Sequence, residues 1–238
     1  MVQKLQVLAQ TTYSRWFNQF EFPNNEGKSY KSNGGELVYN KELGKEIPVD
    51  WQVKQLKDIT KCLLGGTPSR DNSNYWNGNI HWINSGEVAS FPVLKTDETI
   101  SQLGLDNSAT KLLPIGSIVI SITGNIRFSI LGIESCANQS VVGVLENENI
   151  KKSFLYFVLK DYENIYTNKM TGAVQKHINK EVVETSYILI PPEKILNSYY
   201  AVNETIINRI VEISKNTEHL IILKERLLPL LINGQLNI

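Results

Sequence analysis

Near the start of the chain, Leu5, Leu8, Ala9, Tyr13, Trp16, Phe17 and Phe20 recur at spacings of three and four. That period predicts an amphipathic helix over residues 3–20, which Pro23 ends. Residues 23–46, with Gly34-Gly35, read as a polar, turn-rich connector. From Ile47-Pro48 to Pro192 the pattern changes to short apolar runs over 117–122, 140–145 and 186–190, rich in Ile and Val and separated by Gly, Pro and Asn clusters. Such runs predict strands. Residues 153–166, carrying Phe154, Leu155, Phe157, Val158 and Leu159, read as helical. After Pro191-Pro192 a long helix is expected to run to about Leu231. In it Tyr199, Ile206, Ile213, Leu220 and Leu227 fall every seven residues. Ile210 and Leu231 sit at the companion positions, which Asn203, Thr217 and Lys224 interrupt. A sustained heptad predicts a partner helix, parallel or antiparallel; the alternative is a helix lying on its own domain. The predicted class is α+β. Its segments are an N-terminal helix (1–22), a connector (23–46), a mixed α/β domain (47–192) and a coiled-coil helix (193–238).

The 238 residues leave room for one sizeable domain and an appendage. No apolar run approaches the ~20 residues of a membrane helix, and Met1 to Gln6 lack the apolar core of a signal peptide. Cys62 and Cys136 fit no metal or redox spacing. A soluble cytoplasmic protein with reduced thiols is expected. Gly27-Lys28-Ser29 imitates the end of a phosphate-binding loop, but Phe22 stands where that loop needs glycine. His81, His177 and His219 lie in unrelated segments, with no second ligand at metal spacing. Neither Pro191-Pro192 nor Glu193-Lys194 has the neighbours of a catalytic loop. No catalytic centre, metal or cofactor is expected in this chain.

Charge gives nucleic-acid binding no support. The net charge is +0, and Trp51 to Pro192 hold thirteen Lys+Arg and thirteen Asp+Glu. A DNA reader of this composition would work through local patches, or with a partner that neutralises most of the phosphates. Acids are missing locally, however. Residues 107–133 have none but include Lys111, Asn125 and Arg127; residues 164–180 have none but include Lys169, Gln175, Lys176, His177 and Asn179. Residues 59–86 have only Asp71, alongside Thr67, Ser69, Arg70, Asn72 and Asn74. Arg, Asn and Gln read base edges bidentately, while Asn and Gly also simply favour turns. Composition leaves both readings open.

These stretches resemble the specificity subunits of type I restriction–modification systems. Leu8-Ala9-Gln10 through Trp16 to Pro23, then Gly27 to Gly35, look like the segment leading into a target recognition domain, and Ile47-Pro48…Trp51 like its opening. Gly65-Gly66-Thr67-Pro68-Ser69, Tyr75-Trp76-Asn77-Gly78 and Ile80-His81-Trp82 are similar to that domain's most recognisable motif. Gly104-Leu105, Leu113 to Ser117, Asn138-Gln139 and Thr171 to Gln175 follow in the expected order, and Leu227-Leu228…Leu231…Gly234 resembles the end of the conserved helix. Two departures stand out. The family's usual subunit carries two recognition domains and two conserved helical regions, so this chain looks like a half-length subunit or a cassette from a longer one. The usual acidic-Gln start of the last helix is replaced near Lys194-Ile195-Leu196.

The resemblance implies a non-catalytic subunit that reads double-stranded DNA. It would bind a methyltransferase subunit and a restriction subunit, which supply S-adenosylmethionine, ATP and Mg chemistry. Within its motifs the candidate DNA contacts are Thr67, Ser69, Arg70, Asn72, Asn74, Arg127, Gln175, Lys176, His177 and Asn179. Gly65, Gly66 and Pro68 are expected to shape a loop, and Trp76 and Trp82 to bury their rings. Tyr199, Ile206, Ile210, Ile213, Leu220 and Leu227 are the candidate seam for a partner helix, with a homodimer as the expected use. Two rivals are a helical assembly scaffold that binds protein only, and a silent cassette that is never assembled.

Overall fold

A computed structural model describes residues 1–24, 26–172 and 176–232. Helix α1 (Val2–Tyr13) continues into a π-helical turn, Ser14–Asn18, in keeping with the period read from residues 3–20. The connector is more structured than its polarity suggests: β1 (Leu37–Asn40) and β2 (Lys45–Pro48) form an antiparallel hairpin. Then come β3 (Gln52–Gln55), α2 (Leu56–Ile59), β4 (Cys62–Leu64), β5 (Trp76–Ile83), β6 (Glu98–Ile100) and α3 (Gln102–Asp106). β7 (Ile118–Ser121), β8 (Arg127–Ile130), β9 (Ser135–Ala137) and β10 (Val141–Val144) follow. The chain proceeds through α4 (Lys152–Lys160), α5 (Glu163–Lys169), α6 (Lys180–Glu184) and β11 (Tyr187–Ile190) to α7 (Glu193–Ile232).

The central element is a four-stranded antiparallel sheet ordered β4-β10-β7-β8. Strands β7 and β10 are buried at every residue, so their sequences are continuous apolar runs rather than alternations. One face, with Ile118, Ile120, Phe128, Ile130, Val142 and Val144, belongs to the main core. The other, with Val119 and Val141, packs on Ile83, Val88, Leu113 and Leu131. Beside it lies a three-stranded sheet, β6-β5-β9, in which β5 pairs antiparallel with β6 and parallel with β9.

The main core is shared across the predicted segments. It joins Ala9, Tyr13 and Phe17 near the N-terminus, Phe22 and Ile47, the faces of the sheet and α4, and the first half of α7. Phe17 meets Trp51, Phe154 and Tyr199 at ring-centroid distances of 5.9, 5.0 and 4.7 Å.

The long helix begins where Pro191-Pro192 indicated, but its heptad seam divides in two. Tyr199, Asn203 and Ile210 are fully buried and Ile206 nearly so, packed within the chain against α1 and α4. Tyr199 donates a hydrogen bond to the Ser153 carbonyl (3.1 Å). Expecting Tyr199, Ile206 and Ile210 to meet a second chain is therefore corrected here: the apolar face of the short helix α1 occupies this half of the seam. For this half, the helix lying on its own domain holds. Beyond Ile213, which is half-buried, Leu220 is 62% exposed and Leu227 38% exposed. No helix among the described residues is long and apolar enough to cross a membrane.

Glu204 ties α7 to the start of α4. It accepts from Lys152 Nζ (2.7 Å) and the Ser153 amide (2.9 Å). Burial pushes its carboxyl pKa up, but these hydrogen bonds outweigh burial and leave it below the ordinary 4.5. A carboxyl depressed in the folded state stabilises above its unfolded pKa, and that contribution fades as pH falls through the folded value. Glu204→Gln should therefore cost about 1–3 kcal/mol at pH 7 and progressively less below pH ~4.5. Thermal unfolding of both proteins from pH 7 to pH 3 checks this, and a gap that stays constant over that range contradicts it.

Candidate nucleic-acid interface

Antiparallel pairing decides which loops meet. The C-terminal end of β4 lies beside the N-terminal end of β10, since Leu64 pairs with Val142. That end of β10 lies beside the C-terminal end of β7, where Val141 pairs with Ser121, and there Ser121 pairs with Arg127 of β8. Hence the loops after β4, before β10 and between β7 and β8 all emerge at one end of the sheet. Residues 176–178 join them: Gly124 donates to the Lys176 carbonyl (2.9 Å), Ile178 donates to the Ile122 carbonyl (3.0 Å), and Thr123 bridges His177. Two acid-poor stretches far apart in sequence are thus brought to a single rim. At ~4.8 Å per strand, β4 to β8 spans roughly 14 Å.

The rim's shape depends on two glycines. A Cβ on Gly65 would collide with the carbonyls of Ala137 and Asn138, and one on Gly66 would lie 2.6 Å from the Thr110 nitrogen. Loop shaping by Gly65 and Gly66 is thus explained by close backbone approach. Trp82 is buried as expected, its Nε1 donating to the Gly66 carbonyl (3.0 Å). Trp76, expected to be buried, is only half-buried, and Arg70 stacks over its ring.

The candidate residues differ in how far their side chains are already committed. Thr67 is exposed and hydrogen-bonds Gln139 of the neighbouring loop; Ser69 is exposed and contacts Asp71. Arg127 is half-buried, its side chain makes no hydrogen bond or ion pair among the described residues, and it lines a cleft of about 790 Å³ with Gln6, Gln10, Phe128 and Tyr156. Lys176 and His177 are exposed beside the β7–β8 turn. By contrast, Asn72 and Asn179 spend their side-chain oxygens on turn and helix caps, accepting from the Asn74 amide (3.1 Å) and the Val182 amide (3.0 Å). Asn74 is exposed. Arg70 is exposed but engaged, pairing with Glu98 across both carboxylate oxygens. Gln175 lies outside the described residues. Exposed Gln139 belongs to the same rim; the sequence flagged Asn138-Gln139 only as a motif, and strand register alone carries Gln139 to Thr67.

Acidic side chains lie at both ends of the sheet. At the far end the turn after β10 carries Glu146 and Glu148, and Glu146 lies 3.7 Å from Lys152. At the rim the nearby acids are Asp71 and Glu98, the second already paired.

An antiparallel sheet covered on both faces, with one free polar end and a projecting helix, is an architecture already solved elsewhere. The HsdS subunit from Thermoanaerobacter tengcongensis aligns with a TM-score of 0.55 at 14% identity, covering 90% of this chain and 46% of that one. The sequence profile described as Type I restriction modification DNA specificity domain matches residues 48–223, and the chain belongs to that family. It is 27% identical over 239 residues to the type I restriction enzyme MjaIX specificity subunit of Methanocaldococcus jannaschii, covering 98% of this chain and 53% of that protein. It is 28% identical over 155 residues to the EcoR124I/EcoR124II specificity subunit of Escherichia coli, covering 62% and 38% respectively. The chain thus spans about half the length, or less, of these curated relatives. Family membership does not favour the protein-only scaffold.

Gly65→Ala should cost about 1–3 kcal/mol, because the Ala137 carbonyl belongs to β9 and the Asn138 carbonyl follows directly on it, so neither can retreat freely. Denaturant unfolding measures this. A variant as stable as the parent would mean that the rim is looser than described.

Proposed function

We propose that the rim reads a DNA sequence on behalf of partner subunits, and that the chain itself carries no chemistry. The observation that supports this most strongly is the convergence of the Thr67–Gln139 and Thr123–His177 loops at one end of the sheet. A 14 Å front matches a ~12 Å major groove and about four base pairs. In this reading Thr67, Gln139, Lys176, His177 and Arg127 meet the duplex, and Asn72 and Asn179 chiefly hold loops. A methyltransferase subunit using S-adenosylmethionine, and an ATP- and Mg-dependent restriction subunit, act at the site so chosen. The work is cytoplasmic. Because the recognition region is electrically balanced, the partner supplies most of the phosphate contacts, and the isolated chain binds DNA weakly. In this proposal the chain keeps the functional segments expected from the sequence: N-terminal segment 1–22, connector 23–46, recognition domain 47–192 and C-terminal segment 193–238, whose helix is described over Glu193–Ile232. Arg127→Ala, in complex with the methyltransferase subunit, should weaken specific binding by about 1–3 kcal/mol in gel shift. Parental affinity with an unchanged methylation motif would remove Arg127 from the interface.

The exposed second half of α7 supports a further element of the proposal. The helix is about 60 Å long at ~1.5 Å per residue, and Leu220, Leu227 and Leu231 present apolar surface beyond the buried half. Two copies pairing antiparallel through this half would place one recognition domain near each end, related by a two-fold axis. Such a pair reads an interrupted palindrome whose gap is set by the helix. The double variant Leu220→Glu, Leu227→Glu should stay folded and sediment as a monomer, because both residues lie outside the core. Removing one heptad between Ile213 and Leu220 should shorten the gap by methylation sequencing and leave each half-site unchanged. A non-palindromic site written by this chain as the sole specificity subunit would overturn the pairing.

A further inference from the structure

Arg70 differs from the other rim residues because its guanidinium is already fixed. Its Cζ sits 3.5 Å from the centroid of the Trp76 ring and 5.5 Å from that of Trp82. Its two Nη nitrogens donate end-on to the two oxygens of Glu98, one of them at 2.9 Å. The surrounding groups are held in turn. Trp76 Nε1 donates to the Ser69 carbonyl (3.1 Å), and the Trp76 ring meets Trp82 edge-on at 5.1 Å. Glu98 sits opposite Trp82 in the β5–β6 ladder.

An exposed ion pair of this kind contributes little to stability, so its main physical consequence is orientation. An end-on pair uses one hydrogen on each Nη nitrogen. Nε–H and the outer hydrogen of the adjacent Nη form a second fork. Nε makes no hydrogen bond among the described residues, and the side chain is 54% exposed. The guanidinium therefore presents an unused bidentate donor whose direction is set before any ligand arrives. Less rotamer freedom is lost on binding than for a free arginine.

Two acceptors fit such a fork: O6 and N7 of a guanine in the major groove, or two oxygens of a phosphate. The surroundings favour the base. The Glu98 carboxylate already holds the guanidinium and repels a phosphate, whereas a guanine edge carries no net charge. Neighbouring Thr67 and Gln139 are neutral hydrogen-bonding side chains rather than a cationic track. We propose that Arg70 reads one guanine of the target site, with Glu98 and Trp76 as its positioning residues. This rests on the reading of the rim as the recognition surface.

The test uses the full chain in complex with its methyltransferase subunit, on a duplex carrying the site identified by methylation sequencing. Each guanine is replaced in turn by 7-deazaguanine, which lacks the N7 acceptor. For the wild-type complex one position should lose roughly ten- to a hundredfold in affinity. That loss should vanish in Arg70→Lys, which keeps the charge but not the fork. Glu98→Gln should weaken discrimination at the same position only, and have no further effect in the Arg70→Ala background. Thermal unfolding of Arg70→Lys confirms that the variant folds, and the scan on the unmutated protein stands without it. Should Arg70→Lys respond to every 7-deazaguanine as wild type does, the proposal is overturned. Uniform weakening of Arg70→Ala on all sequences, with the salt slope lowered by about one, would assign Arg70 to a phosphate and overturn it likewise. A wild-type complex that discriminates no sequence at all would instead sink the reading of the rim, and this inference with it.

Discussion

Phe17 is the contact on which the arrangement of the whole chain depends. Its ring, carried on the π-helical turn at the end of α1, touches Trp51 at the entry to the recognition region, Phe154 on α4 and Tyr199 on α7. Elements more than 180 residues apart are thereby fastened at a single aromatic cluster. Truncating a buried ring of this kind costs about 3–5 kcal/mol. Here the cost would include loosening the first half of α7 from the sheet it supports.

From that anchor the exposure of the rim follows. The four-stranded sheet has core on both faces, the α4–α7 side on one and the Ile83–Leu131 cluster on the other. A sheet buried on both faces can offer polar loops only at its ends. One end is turned toward α4 and α7 and carries Glu146, which lies close to Lys152. The other is left with Thr67, Gln139, Thr123, Lys176 and His177. The same packing divides α7 into a half that belongs to the core and a half that extends beyond it.

Much of this was legible in the sequence, for identifiable reasons. The α1 period, the β7 and β10 runs and the start of α7 after Pro191-Pro192 are local signals, and each element lies within a few residues of where the pattern set it. What stayed hidden is non-local. The heptad of α7 is continuous in sequence, yet its first half meets α1 and its second half does not, because α1 is only 12 residues long. Hairpin β1–β2 lies in a connector whose polar composition masks it. The pairing of Arg70 with Glu98 spans 28 residues and depends on β5–β6 register. Asn72 and Asn179 illustrate the ambiguity of amides: their residue types suit base reading, but their oxygens cap turns.

The central claim is that DNA meets one end of the β4-β10-β7-β8 sheet and not the other. Hydrogen–deuterium exchange of the chain in complex with its methyltransferase subunit, with and without a duplex bearing its methylation site, tests this most directly. Protection on adding DNA should appear over residues 65–71, 122–127, 138–140 and 176–179. The far end, residues 145–150 and 114–117, should be unchanged. Protection confined to that far end, or none in the four rim segments while DNA is bound, would contradict the account.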